Sequence, residues 1–391
     1  MLNIFFIGLV SFFADISTEM VYPLIPLYLV SAFGATPALI GIIEGIAESL
    51  ASLLKVFSGY LTDKFHKKKA IAFWGYAGGV IYKVMLLFSG SWVGVLVARM
   101  VDRIGKGIRT APRDVLVSES ADKDNMGNAF GLHKMLDMLG SAIGILITFF
   151  LIRAVTGNYD YKNLFIISTI PGILGLFMFF FIKEKKQRIK KEEKRELFWK
   201  NIKKIDGQLK LYLFVVFLFT LGNSSNAFIL LKAKAAGFDN VSVILLYFIF
   251  NIVASILSIP MGRLSDKIGR KNLLVPGYIA FSLCYLSFGF ANTQVWMAAA
   301  FVLYGIYTAM ITGVERAFVA EISPKELKGT MLGLHSTLQG IALLPASIIA
   351  GILWTSFGAS IPFVFGAILS FVAAVILIIF MTGKKKIKQE V

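Results

Sequence analysis

The chain holds one cysteine, Cys284, so no disulfide can form within it. Charge is also scarce. Asp, Glu, Lys and Arg make up 16% of 391 residues, where soluble domains carry about 25%. Acids are the scarcer sign, 23 against 40 bases, for a formal net charge of +17. Histidine occurs three times, at His66, His133 and His335, with no ligand-spaced cluster around any of them. These shortages exclude a disulfide-stapled secreted domain, a cytosolic enzyme and a disordered tail. No serine or cysteine motif accompanies the histidines, so no nucleophile–base pair points to a membrane-embedded enzyme. The run Arg103-Ile104-Gly105-Lys106-Gly107-Ile108-Arg109 lacks the Walker spacing and a preceding strand. Close helix packing accounts better for its glycines. With no nucleotide-binding domain, an ATP-driven pump is excluded too, and no cofactor is expected.

What the chain has instead is apolar residues, 57% of the total, and a mean hydropathy of +0.75. A membrane-crossing helix needs ~20 of them. Runs of that length fall at 3–30, 37–61, 70–89, 92–116, 127–152, 163–182, 210–231, 241–262, 273–291, 295–320, 328–354 and 360–381. The pattern predicts an all-α integral membrane protein with twelve spans. The first is not a cleavable signal, because Met1-Leu2-Asn3 has no basic flank and the apolar run continues past Pro23 and Pro26.

Lys and Arg resist translocation, and they are distributed unevenly. The even-numbered connections and the tail hold 27 of them, the odd-numbered connections four. Both termini are therefore expected on the cytoplasmic side. That position accounts for the positive charge better than a nucleic-acid partner, and none is expected. The longest connection, 183–209, carries a strong basic excess and divides the chain into a first half, 1–182, and a second, 210–391. It is expected either as a solvated linker or as an amphipathic helix drawn to anionic lipid at about 1 kcal/mol per basic residue.

The halves repeat one another. Gly59-Tyr60-Leu61-Thr62-Asp63-Lys64-Phe65-His66-Lys67-Lys68 follows span 2, and Gly262-Arg263-Leu264-Ser265-Asp266-Lys267-Ile268-Gly269-Arg270-Lys271 follows span 8. Gly127-Asn128-Ala129-Phe130-Gly131-Leu132-His133 opens span 5, and Gly329-Thr330-Met331-Leu332-Gly333-Leu334-His335 opens span 11. Two matched six-helix halves of the same in-plane direction are related by an axis along the membrane normal. With these motifs the whole chain resembles the major facilitator superfamily. The 262–271 segment is its loop signature nearly complete; at 59–68, His66 replaces the second glycine. Arg99-Met100-Val101-Asp102-Arg103-Ile104-Gly105 resembles its span 4 arginine motif. The resemblance implies two pseudo-symmetric six-helix bundles, alternating access, and spans 1, 4, 7 and 10 lining a central cavity. One departure stands out. Many exporters of the superfamily carry a Gly-Pro pair in span 5, whereas Gly140-Ser141-Ala142-Ile143-Gly144 is followed here by Ile145.

Ionisable groups at membrane depth are costly and read as functional by default. Here they concentrate in the first half: Asp15 and Glu19 on span 1, Glu44 and Glu48 on span 2, Asp102 on span 4, Asp137 on span 5, and the bases Lys55, Lys83, Arg99, Arg103, Lys106, Arg109 and Lys134. Such faces must turn away from lipid. Lys83 alone sits on a peripheral span, where snorkelling to the outer interface competes with a role in a site. Asp15, Glu19, Glu48 and Asp137 are the expected proton carriers, the last two paired with Arg103 or Lys134; a purely structural ion-pair network is the other reading. The second half is nearly neutral. Arg103 and Lys106, with Asn223, Asn226, Tyr304 and Tyr307 opposite, are the expected substrate contacts. Shared offsets pair Asp63 with Arg113 and Asp266 with Arg316 as cytoplasmic latches. In the turn itself, glycine is expected for close approach and positive φ.

These expectations describe a monomeric, proton-coupled transporter in a prokaryotic cytoplasmic membrane, exporting a small cationic or amphipathic organic solute. Two alternatives stay open: an organic-anion carrier using Arg103, Lys106 and Arg109, and a divalent-metal exporter using Asp15, Glu19 and His133.

Overall fold

The computed structural model describes residues 2–65, 67–120, 126–154, 160–184, 207–291, 293–323 and 328–380, without the side chains of 56–57, 59–65, 126–131, 328–330 and 380. Among the described residues all regular structure is helical. Span 1 is broken into α1 (Leu2–Glu19) and α2 (Leu24–Phe33). Spans 2 to 6 are α3 (Pro37–Phe65), α4 (Lys68–Phe88), α5 (Trp92–Ser120), α6 (Met126–Ala154) and α7 (Tyr161–Met178), the last continued by a 3-10 turn. Span 7 is broken into α8 (Gly207–Gly222) and α9 (Ala227–Ala235); spans 8 and 9 are α10 (Asn240–Ile268) and α11 (Arg270–Phe290). Span 10 is broken into α12 (Gln294–Ile311) and α13 (Val314–Ile322), and spans 11 and 12 are α14 (Lys328–Phe357) and α15 (Ile361–Phe380).

Eleven of these spans are apolar enough to cross a membrane. The twelfth, α5, has the length but carries Arg99, Asp102, Arg103, Lys106, Arg109, Arg113 and Asp114. It is tolerable only because other helices cover it: α4 and α3 pack along it, and Arg99, Asp102, Arg103 and Arg109 are buried. Residues 185–206 of the basic connection, and with them the expected amphipathic helix, lie outside the described residues.

The two signature segments are more helical than expected. α3 runs on to Phe65 and α10 to Ile268, so Asp63 and Asp266 sit in the last turns of helices rather than in loops. Gly262 is correspondingly helical and has no heavy atom within 4 Å of a Cβ built on it. The reversal is made at Gly269, whose φ of 92° is the region glycine alone enters freely.

Spans 2 and 11 (α3, α14) and spans 5 and 8 (α6, α10) join the halves, with a smaller contact of α2 on α9. A shared core unites Leu24, Leu27, Ile145 and Ile152 with Phe228, Ile229 and Tyr247. Near the linker end, by contrast, the core of Ile4, Ile7, Leu116, Val117 and Phe179 belongs to the first half alone. Three hydrogen bonds cross between halves among the described residues: Ala38 N to Thr355 Oγ1, Ser225 Oγ to Glu44, and Tyr247 OH to Glu19. All three lie from mid-membrane towards the 34–36 turn.

Candidate functional site

Helical spacing assembles the charged centre. Glu44 and Glu48 are i,i+4 on α3, and Arg99, Asp102 and Arg103 fall on one face of α5. Arg99 donates to Glu44 through Nε at 3.1 Å and through Nη2 at 2.7 and 2.6 Å, the paired geometry that makes Arg–carboxylate contacts strong. Arg103 Nη2 lies 2.8 Å from Glu48, the pairing the sequence suggested. Asp102 stands between the guanidiniums, 3.9 Å from Arg99 and 3.7 Å from Arg103. Tyr22, from the break in span 1, offers its ring to both at 5.4 and 5.6 Å. Ser225, from the break in span 7, reaches Glu44 at 3.4 Å. Broken spans thus place polar groups at membrane depth where neighbouring helices can satisfy them.

Asp15 and Glu19 stand apart from this network. Both are half-buried, and among the described residues neither has a cation within 4.0 Å. Glu19 accepts a hydrogen bond from Tyr247 at 3.3 Å. Lys106, half-buried on α5, is among the bases whose field reaches both acids. Asp137 does not pair with Lys134, which is exposed. Its carboxylate lies 3.7 Å from His133 Nδ1, and His133 Nε2 shares a 2.9 Å hydrogen bond with Ser11, itself 2.7 Å from Tyr76 OH.

The four second-half residues expected to face substrate meet one another. Asn223 Nδ2 donates to Tyr307 OH at 3.0 Å, and Tyr304 OH donates to Asn226 at 2.8 Å. Tyr285 OH adds a 3.4 Å bond to Asn223. Phe281 packs edge-on to Tyr307 at 4.8 Å, extending an aromatic wall.

One expectation needs correction, and two of the latch residues have other partners in this structure. Lys83 does not snorkel: it is 1% exposed, and its Nζ donates to the Gly79 carbonyl at 2.8 Å. Asp266 is held by Arg270 at 3.5 Å rather than by Arg316, and Arg270 also reaches Glu321 and the Ala317 carbonyl, both at 3.0 Å. Arg113 bonds its neighbour Asp114 at 2.9 Å, while the Asp63 side chain lies outside the described residues. The second half is also less neutral than its composition suggests. Glu315, 4% exposed, accepts from Tyr278 at 2.8 Å and Gln339 at 3.1 Å, with His335 Nε2 3.7 Å away. Those partners come from two helices, α11 and α14, and only the repeat of His133 by His335 hinted at them. Among the described residues no three His, Cys, Asp or Glu side chains converge as a metal cluster would.

The model of the Major Facilitator Superfamily matches residues 7–231 and 212–390. The MFS-type transporter MJ1317 of Methanocaldococcus jannaschii is 34% identical over 382 residues, covering 96% of this chain and 94% of that one. Multidrug resistance protein MdtG of Escherichia coli strain 55989 is 22% identical over 371 residues, covering 91% and 88%. Among solved structures, a POT family transporter in complex with 5-aminolevulinic acid superposes with a TM-score of 0.82 at 13% identity, covering 98% of this chain and 96% of that one. The twelve-span fold, the repeated motifs and these matches lead to one assignment: the chain belongs to the major facilitator superfamily and is a multi-pass membrane transporter, not an enzyme.

Proposed function

We propose that the protein is a proton-coupled exporter of cationic or amphipathic organic solutes, working by alternating access. One observation carries the reading: the acids at membrane depth on spans 1, 2 and 4 fall into two classes. Glu44, Glu48 and Asp102 are tied to Arg99 and Arg103, so their charge is structural. Asp15 and Glu19 have no cation in contact, so their charge is free to change or to attract a cationic ligand. The aromatic and amide wall of Asn223, Asn226, Tyr304 and Tyr307 suits the apolar body of such a ligand. The engagement of Arg103 by Glu48 weighs against the anion-carrier alternative. The resemblance to MdtG, a multidrug resistance protein, agrees with export.

In this reading both termini and the 183–209 linker are cytoplasmic, the membrane is that of a prokaryote, and the unit is a monomer of two bundles, 1–182 and 210–391. The cross-half bonds near the 34–36 turn then close the outer side. The Asp63–Arg113 and Asp266–Arg316 pairs form only when the inner side closes.

The test is a ligand-induced thermal shift of the purified protein in detergent. Tetraphenylphosphonium, ethidium, benzoate, glucose 6-phosphate and zinc are the probes, at several pH values, with Asp15→Asn and Arg103→Ala alongside. A ligand at about 100 times its Kd stabilises by about 2.7 kcal/mol. Stabilisation by the lipophilic cations that weakens at low pH and disappears in Asp15→Asn is expected. Stabilisation by benzoate or the phosphate that disappears in Arg103→Ala overturns the reading in favour of an anion carrier.

A further inference from the structure

Away from the central cavity, between spans 1, 3, 4 and 6, the first half encloses a second space. This cavity of about 10 Å³ is bounded by Thr18, Tyr76, Gly79, Lys83, Arg109 and Gly172, and it has room for one water-sized particle. Two buried cations line it. Lys83 donates once, to the Gly79 carbonyl, leaving two of its three N–H groups. Arg109, 6% exposed, lies 4.2 Å from the Tyr76 ring centroid. No carboxylate comes within 4.0 Å of either cation among the described residues.

Glu44 and Glu48 are committed to Arg99 and Arg103. Asp102 and Asp15 face Lys83 and Arg109 only at longer range, and neither touches them. Both cations therefore lie at membrane depth without an anion in contact, where charge is strongly disfavoured.

We propose that this cavity binds one monovalent, halide-sized anion, chloride in ordinary salt, held by Lys83 and Arg109. A single halide gives both cations an anion in contact, accepts the free N–H donors and fits the space after a small side-chain adjustment. Sulfate and gluconate are too large for it.

Gly79 offers a perturbation that leaves both cations in place. A Cβ built on it meets Arg109 Nη1 and Asp102 Oδ1, each at 3.7 Å. That is ordinary van der Waals contact, and alanine is the better helix former. Gly79→Ala therefore fills the cavity without a clash.

The full chain is purified in detergent, and sodium gluconate is replaced stepwise by chloride or bromide at constant ionic strength. For the native protein we expect a saturable rise in Tm, on the order of 5 °C at a hundredfold excess over Kd. Chloride-35 NMR should show line broadening by the native protein that bromide reverses. Both effects should be lost in Gly79→Ala and in Lys83→Met, and sulfate should produce neither. Identical melting of the native protein in gluconate and chloride, with no broadening, overturns the proposal and leaves a water in the cavity. So does a full-sized saturable chloride effect in Gly79→Ala. The NMR measurement needs only the native chain, so it decides the question even where Lys83→Met fails to fold.

Discussion

Removing the Glu44 carboxylate should be among the most destabilising single changes in the first half. Glu44 and Arg99 are each 1% exposed, so either one left alone is a buried, uncompensated charge. Breaking such a pair costs about 3–5 kcal/mol. Arg99 would keep Asp102 at 3.9 Å and Glu48 at 4.0 Å. Those distances are too long for hydrogen bonds but still supply attraction, so the lower end, about 3 kcal/mol, is expected for Glu44→Leu. Replacing both partners removes the charges together. Glu44→Leu with Arg99→Met should therefore cost less than either single change, because well-packed apolar replacements of buried ion pairs are often neutral. Reversible unfolding of the four proteins in mixed micelles gives the coupling energy directly. Additive single effects, or a loss under ~0.5 kcal/mol for Glu44→Leu, would refute the reasoning. The control is Glu19→Gln. Glu19 has one hydrogen bond, from Tyr247 at 3.3 Å, which glutamine can also accept. Its stability should change by no more than ~0.5 kcal/mol while proton-driven transport in proteoliposomes is lost.

Three smaller effects should accompany it. Asp239 caps α10 by accepting from Ser242 N at 3.0 Å, a bond that holds its carboxyl below the usual range. Asp239→Ala should thus lower stability by about 1 kcal/mol at neutral pH. That difference should fade as the pH falls through the depressed value of Asp239, as melting curves at a series of pH values will show. Gly144 packs on span 1 so closely that an added Cβ would lie 2.5 Å from the Ile16 carbonyl oxygen and 3.0 Å from its Cα. Gly144→Ala should cost about 1–3 kcal/mol in thermal unfolding. Tyr307→Phe leaves Asn223 Nδ2 without its 3.0 Å partner. It should lower stability by about 1 kcal/mol and weaken tetraphenylphosphonium binding in the same thermal-shift assay.

Much of the architecture was legible because hydropathy reports it without reference to tertiary contacts. The expected spans match the helices closely, and the main shift, at the ends of α3 and α10, arises because charged last turns still form helix once they leave the lipid. The breaks in spans 1 and 7 were not anticipated, although they fall at Pro23 and at Asn223-Ser224-Ser225-Asn226, polar residues that a continuous apolar helix would not collect. Pairing was legible where helical spacing and neighbouring spans determined it, as for Glu48 with Arg103. It was not legible where the partner sat one turn away on the same helix or on a distant one. Asp137 chose His133 over Lys134 because position 134 faces outward. Lys83 looked peripheral because hydropathy cannot show that Gly79 opens a polar space beside it. Glu315 and His335 are 20 positions apart, and only helix packing brings them within 3.7 Å.

The distribution of bond lengths indicates where the molecule would yield. Within the first half, α3 is tied to α5 by charged bonds of 2.6 to 2.8 Å. Within the second half, Ser370 donates to the Tyr278 carbonyl at 2.7 Å, tying α15 to α11, and Tyr278 to Glu315 at 2.8 Å, tying α11 to α13. The three bonds between halves are 3.2, 3.4 and 3.3 Å long, and longer bonds are weaker ones. Small residues line the seam between α3 and α14. A Cβ on Gly45 would lie 3.0 Å from the Leu344 carbonyl oxygen, one on Gly340 2.7 Å from Ser52 Cβ, and one on Gly351 2.6 Å from the Pro37 carbonyl oxygen. Such small residues let the two backbones pack closely by van der Waals contact, with few hydrogen bonds to break. Two stiff bundles joined along a seam with few hydrogen bonds suit rigid-body alternation between faces. On that view the ion pairs of the first half matter less for contact with substrate than for keeping Asp15 and Glu19 in fixed register while the seam moves.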